Sequence, residues 1–138
     1  MKARIRPVAP CALVWNYPQT EPSWSALVAA CEKVGLPVKP VSNTQAGHTV
    51  GWLCGIPGAS EASVLLHLAP ETYPAALILN GLDRKHLDTL LAELRTAGVT
   101  IPLKAVVTAT NQQWPLSELL AELCRERDEI ARKAAKNT

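Results

Sequence analysis

An α/β fold of two βαβα-like pseudo-repeats, with a mostly parallel sheet and packed helices, is what this sequence predicts. Three observations carry that expectation. Short apolar runs ending in Asn stand at Ala12-Leu-Val-Trp-Asn16 and Ala76-Leu-Ile-Leu-Asn80. Each is followed by an amphipathic helical stripe closed by a glycine, Gly35 or Gly98. Each stripe leads into an extended Pro-x-Lys-x-Val segment, Pro37 to Val41 and Pro102 to Val106. The runs match at an offset of 64 (76 minus 12), the helical stripes at 63 (90 minus 27), and the Pro-x-Lys-x-Val segments at 65 (102 minus 37).

The elements follow in order. Ala12 to Asn16 reads as a buried strand stopped by Tyr17-Pro18. Thr20 is the expected cap of the first helix, with Pro22 in its first turn; Trp24, Leu27, Val28, Cys31 and Val34 form its apolar stripe. Pro37 and Pro40 withdraw ladder donors, which predicts that the next strand lies at an edge. Gly51-Trp-Leu-Cys-Gly-Ile-Pro-Gly58 suggests a short helical turn whose glycines allow close backbone approach. Ser60 to Leu68 fits either strand or helix, and the turn chemistry of Ala69 to Pro74 marks a linker. In the second half Asp83 is a stronger cap, ahead of a stripe of Leu87, Leu90, Leu91, Leu94 and Ala97. A buried strand from Leu103 to Val107, a polar turn from Thr108 to Gln113 and a helix opening at Pro115 complete the chain. Leu116, Leu119, Leu120, Leu123 and Cys124 are its core side, and the charged residues beyond Cys124 form a solvated end. Residues 1–138 are expected to form a single domain, with a first half over about 10–58, a linker over about 59–74 and a second half over about 75–135.

Composition narrows the function classes. Fourteen Lys and Arg against twelve Asp and Glu, scattered except in the tail, give no nucleic-acid footprint. The charged N-terminus lacks an apolar run long enough for a signal peptide or a membrane span, so a cytoplasmic location is expected. Cys11, Cys31, Cys54 and Cys124 are far apart, with no CxxC pair, and neither His48 nor His67 has a ligand partner at metal spacing. Four reduced thiols, no metal and no cofactor are the expectation.

The second half resembles a known family. Ala76-Leu-Ile-Leu-Asn-Gly81, Glu93-Leu-Arg-Thr-Ala-Gly98, Ile101-Pro-Leu-Lys-Ala-Val-Val-Thr108, Thr110-Asn-x-x-Trp114 and Glu118-Leu-Leu-Ala-Glu-Leu123 carry the likeness. They resemble a family of small bacterial proteins catalogued only as a domain of unknown function. Gly51-Trp-Leu-Cys-Gly55 resembles a Gly-aromatic-Leu-x-Gly element of the same family. The family tends to place Thr or Ser directly after the Trp, where this chain has Pro115. The resemblance implies a family and no activity.

The polar turn is the candidate site. In open α/β sheets ligands collect beyond the C-terminal ends of strands, near the N-termini of the following helices. Thr108, Thr110, Asn111, Gln112, Gln113 and Trp114 are expected there, in a cleft between the halves, with Asn80 at the same edge if its strand runs parallel. Lys104 either snorkels from the strand start or points into the site as a repeat of Lys39. Such a set suits a small anion or carboxylate, but Thr and Asn are also ordinary turn residues that satisfy their own backbone. No nucleophile elbow, P-loop or dinucleotide fingerprint is present, and no catalytic residue is assigned. The favoured reading is a non-catalytic binding or regulatory module for a small molecule or a protein partner, with homo-oligomers compatible. The alternatives are an enzyme acting on a small anionic substrate and a self-assembling protein held by exposed Trp.

Overall fold

The computed structural model describes residues 10–59, 68–69 and 72–136. Two fully buried pentapeptides form its centre, β1 (Cys11–Trp15) and β3 (Ala76–Asn80), apolar throughout except for Asn80. Flanking them are β2 (Val38–Val41) and β4 (Leu103–Val106), in the order β2-β1-β3-β4. Each half supplies one parallel pair, β1 with β2 and β3 with β4, and the halves meet through antiparallel β1 and β3. The mixed sheet is therefore parallel within each half and reversed at the seam. The two prolines that predicted an edge strand do lie at an edge, at or beside β2.

Helices cover both faces. On one, α1 (Trp24–Lys33) and α3 (Arg84–Thr96) bury Leu27, Ala30, Cys31, Leu90 and Leu94 against Ala12, Val14, Leu77 and Leu79. The Lys33–Glu93 ion pair, at 3.0 Å, ties the two helices together on their exposed side. On the other face, α2 (Val50–Cys54) and α4 (Leu116–Lys136) bury Val50, Cys54, Leu116, Leu119 and Leu120 against Cys11, Leu13, Trp15 and Ile78. Strand alternation explains this division: Cys11, Leu13 and Trp15 point one way, Ala12 and Val14 the other.

Local chemistry sets the helix ends. The Asp83 side chain accepts the His86 N–H as expected, and Thr49 accepts from Trp52 at the start of α2. Helix α1 differs from the expectation: it begins at Trp24, and the residue at the cap position, Ser23, makes no side-chain capping bond. The Ser23 hydroxyl is instead engaged by the Tyr17 hydroxyl. Thr20 therefore stands in the preceding turn. Gly35 and Gly98 have φ of 79° and 74°, the left-handed geometry that closes α1 and α3. The Gly-rich middle does form a helical turn, and a Cβ on Gly51 would stand 3.1 Å from the Gln112 carbonyl oxygen. Most of Ser60–Leu68, His67 included, and part of the expected linker lie outside the described residues.

A pseudo-two-fold axis passes through the seam, and it corrects the phase of the repeat. Keeping every side chain on its own face maps β1 to β3 at an offset of 65 (76 minus 11) and β2 to β4 at 66 (104 minus 38). The sequence match at 64 and 65 is one residue out of step. Asn16 (φ 56°) thus corresponds to Gly81 (φ 90°), and not to Asn80. Lys39 and Lys104, aligned in the sequence, face opposite sides of the sheet, because Lys39 pairs with Leu13 and Lys104 with Leu77. The axis is sharpest at the helix starts. Val50 N donates to Trp114 O, and Leu116 N donates to His48 O, each at 2.9 Å, around a bridge between Thr49 and Pro115.

Candidate functional site

Because β3 and β4 run parallel, the turns after both strands emerge at one edge. They enclose a crevice of about 490 Å³ lined by Asn80, Gly81, Leu82 and Asp83 from the β3 turn, with Thr108, Ala109 and Gln112 from the β4 turn. Ile56, just past α2, closes one side. Asn80 is only 6% exposed, while Thr108 and Ala109 are exposed on the rim. Gly81 is required where it stands, since a Cβ there would lie 2.8 Å from Pro10 and its φ is left-handed.

The electrostatics of the lining are simple. Asp83 supplies one carboxylate, and the described lining contains no Lys or Arg. Its Oδ1 accepts the His86 backbone N–H at 2.8 Å and meets His86 Nδ1 at 2.7 Å. The backbone bond, then the imidazole, hold the Asp83 carboxyl below its ordinary value.

The residues nominated from the sequence do not all converge. Asn80, Thr108 and Gln112 meet at the crevice. Asn111 stands behind it as a brace: its Oδ1 accepts Thr108 N at 2.8 Å, its N–H donates to Thr108 Oγ1 at 3.0 Å, and its Nδ2 donates to Val106 O at 3.0 Å. Those bonds are the turn's own closure, the use that Asn and Thr commonly find in turns. Thr110 is exposed and leads into a 3-10 turn, Asn111–Gln113. Trp114 belongs to another depression, with Glu118, Ala121, Glu122 and Arg125 along α4. Lys104 sits at the other end of β4 on the α1/α3 face, beside Leu91, Leu94 and Arg95, with Nζ donating to Ile101 O at 2.8 Å. The crevice lies at one end of the second half, and Ile56 from the first half closes one side of it.

Gly81, Leu82, Asp83, Ala109 and Ile56 were not nominated as site residues. The first four were within reach of sequence reasoning, since a parallel pair must bring both post-strand turns together. Ile56 was not, because the placement of α2 is a tertiary fact.

The axis generates a second crevice at the opposite end of the sheet, about 310 Å³, with Trp15, Asn16, Tyr17, Val41, Ser42 and Asn43 in its lining. It is more aromatic: Trp15 takes the place of Asn80, and Tyr17 that of Leu82. Tyr17 stacks on Trp24 at 6.2 Å. Among the described residues no three His, Cys, Asp or Glu side chains gather as a metal site, and no helix is long and apolar enough to cross a membrane. Large exposed apolar side chains are Trp52, Val106 and Ile130, on three different elements. Trp15 is buried, so the four tryptophans do not form one exposed set.

A helix-covered mixed sheet with a crevice at each end is thus the class of structure to be compared with known proteins. Residues 75–130, from the start of β3 through most of α4, match the family described as Domain of unknown function (DUF3783). The densest part of the resemblance seen in the sequence, from Leu77 onward, falls in that span. No curated protein and no solved structure matches the chain.

Proposed function

We propose that this protein is a non-catalytic binding module whose ligand occupies the crevice beyond β3 and β4. The observation that carries the reading is the convergence of Asn80, Asp83, Thr108 and Gln112 on one 490 Å³ space at the N-terminus of α3. Pockets of that size accommodate small molecules, fixed by a few polar groups on otherwise apolar walls. Here Leu82, Val107 and Ile56 supply apolar wall, and amide, hydroxyl and carboxylate groups supply orientation. One carboxylate without a cation in the lining disfavours the anion suggested by the turn composition alone. It favours a neutral or cationic ligand rich in hydrogen-bonding groups, such as an amine, an amide or a polyol.

The test avoids the turn's braces. Thr108 and Asn111 hold the backbone, so their variants would confuse stability with binding. Ala109→Trp, which fills the crevice from an exposed position, and Gln112→Ala are the better probes. A ligand specific for the folded protein raises Tm by mass action, about 2.7 kcal/mol at a hundredfold excess over Kd. Thermal shifts against small amines, amides and polyols should reveal a ligand whose effect Ala109→Trp removes and Gln112→Ala weakens. A shift that survives both substitutions, or none across the panel, would remove the crevice as the binding site.

A further inference from the structure

A second cavity lies at the end of β4 opposite the crevice, where the chain leaves α3 and enters the strand. It encloses about 350 Å³, with apolar wall from Leu91, Leu94, Val99 and Ile101. Leu94, Val99 and Ile101 are buried, so this wall is the rim of the α1/α3 core. Arg95 and Lys104 also line the cavity, and no carboxylate among the described residues does. Lys104 Nζ donates to Ile101 O at 2.8 Å, which holds the ammonium against the wall. Arg95 makes no ion pair among the described residues. The two carboxylates of α3 are engaged elsewhere, Asp88 with Arg84 at 3.5 Å and Glu93 with Lys33 at 3.0 Å.

We propose that this cavity is a second binding site, specific for a small amphiphilic carboxylate. Its hydrocarbon body lies on the apolar wall and its headgroup meets Arg95 and Lys104. Charge complementarity carries the assignment: the lining holds two cations and no acid to neutralise them. A helix C-terminus disfavours anions through its open carbonyls. Here three of those carbonyls are already occupied. Glu93 O accepts from Ala97 N, Leu94 O from Val99 N and Arg95 O from Gly98 N, at 2.9–3.1 Å. The side-chain charge therefore dominates at the cavity. A carboxylate fits the planar fork of an arginine, and the apolar wall calls for a hydrocarbon body that inorganic phosphate lacks.

The pseudo-two-fold supplies an internal comparison. With α1 on α3 and β2 on β4, Glu32 takes the place of Arg95 (95 minus 32 is 63) and Val38 that of Lys104 (104 minus 38 is 66). From the closing glycine to the matching strand position the first half takes three residues (38 minus 35), and the second takes six (104 minus 98). Thr100 and Ile101 of that longer connection line the cavity. One half thus builds the same supersecondary unit without either cation, so the fold itself does not require them. The site is also independent of the crevice, which lies at the opposite end of β4 and carries Asp83 instead of cations.

The experiment titrates octanoate into the isotope-labelled full chain and follows its amide NMR spectrum. Saturable shifts should appear at Gly98, Val99 and Thr100, and none at Gly81 or Ala109. Arg95→Gln and Lys104→Met should each weaken binding about tenfold or more, the loss expected for a hydrogen bond to a charged group. Lys104→Met keeps the stem packed on the strand and removes the charge. Octanol, with the same tail and no charge, should bind about tenfold more weakly for the same reason. Ala109→Trp, which fills the crevice, should leave octanoate binding unchanged. No saturable shift, equal affinity for octanol, or binding that survives both cation substitutions would overturn the proposal. Inorganic phosphate shifting the same amides with the affinity of octanoate would overturn it too, since the apolar wall would then contribute nothing. The wild-type comparison of octanoate, octanol and phosphate decides the matter even if a variant fails to fold.

Discussion

Asp83 ends the turn after β3, caps α3 and lines the crevice, and its carboxyl is held below the ordinary value of 3.8 first by the His86 N–H and then by the imidazole. A depressed folded pKa contributes stability that is fully present above the unfolded value and is lost as pH falls through the folded one. Asp83→Asn keeps a good capping residue but removes the titration. Wild type should therefore be the more stable protein at neutral pH, and the gap should close below pH 3.8. Urea midpoints of the two proteins down through the carboxylate range check this; a gap that stays constant would mean that the charge on Asp83 contributes nothing. The same residue shows what was legible at this scale. Asp before a helical stripe announces a cap, but nothing local says that the cap also borders a crevice. Conversely, Thr108 and Asn111 carried the composition of a site, and the structure uses them to close a turn. Composition identifies polar atoms; only geometry shows whether their bonds are already made.

The strands and main helices were readable because their burial is periodic and their boundaries carry distinct chemistry. Helix α1 was the exception at its start, where Tyr17 engages Ser23 and the helix begins past Pro22. The repeat was readable in kind but not in phase: single-residue differences in turn length shift the sequence match, while the ladder and the two cores fix the true correspondence. A one-residue change of phase turns a side chain to the other face, which is why Lys39 and Lys104 diverge. Helix α4 permits a direct test. It runs for 21 residues, about 31 Å at 1.5 Å per residue, yet its buried contacts end at Leu120 and its half-buried ones at Cys124. Its last turns, with side chains exposed through Ala135, hold no part of the core. Ending the chain after Arg127 should cost about 1 kcal/mol or less in denaturant unfolding. A larger loss would show that the overhanging turns are packed in solution.

For the whole molecule, the consequential feature is the seam. Its β1–β3 ladder and the paired Val50–Trp114 and Leu116–His48 bonds are reciprocal, so each half presents the other with a copy of the contact it receives. That is the geometry of an isologous dimer enclosed within one chain. Nothing in those contacts records which chain a half belongs to; only the covalent connection does so. Two molecules can therefore exchange halves, the first half of each docking on the second half of the other, and recover every seam contact without creating a new interface. Protein refolded at high concentration should yield a fraction of dimer that persists on dilution, separable by size-exclusion chromatography and matching the monomer in circular dichroism. Material that refolds only as monomer at every concentration would show that the connecting segment, and not the seam, decides how the halves find each other. The symmetry that holds this fold together also makes its halves exchangeable between chains.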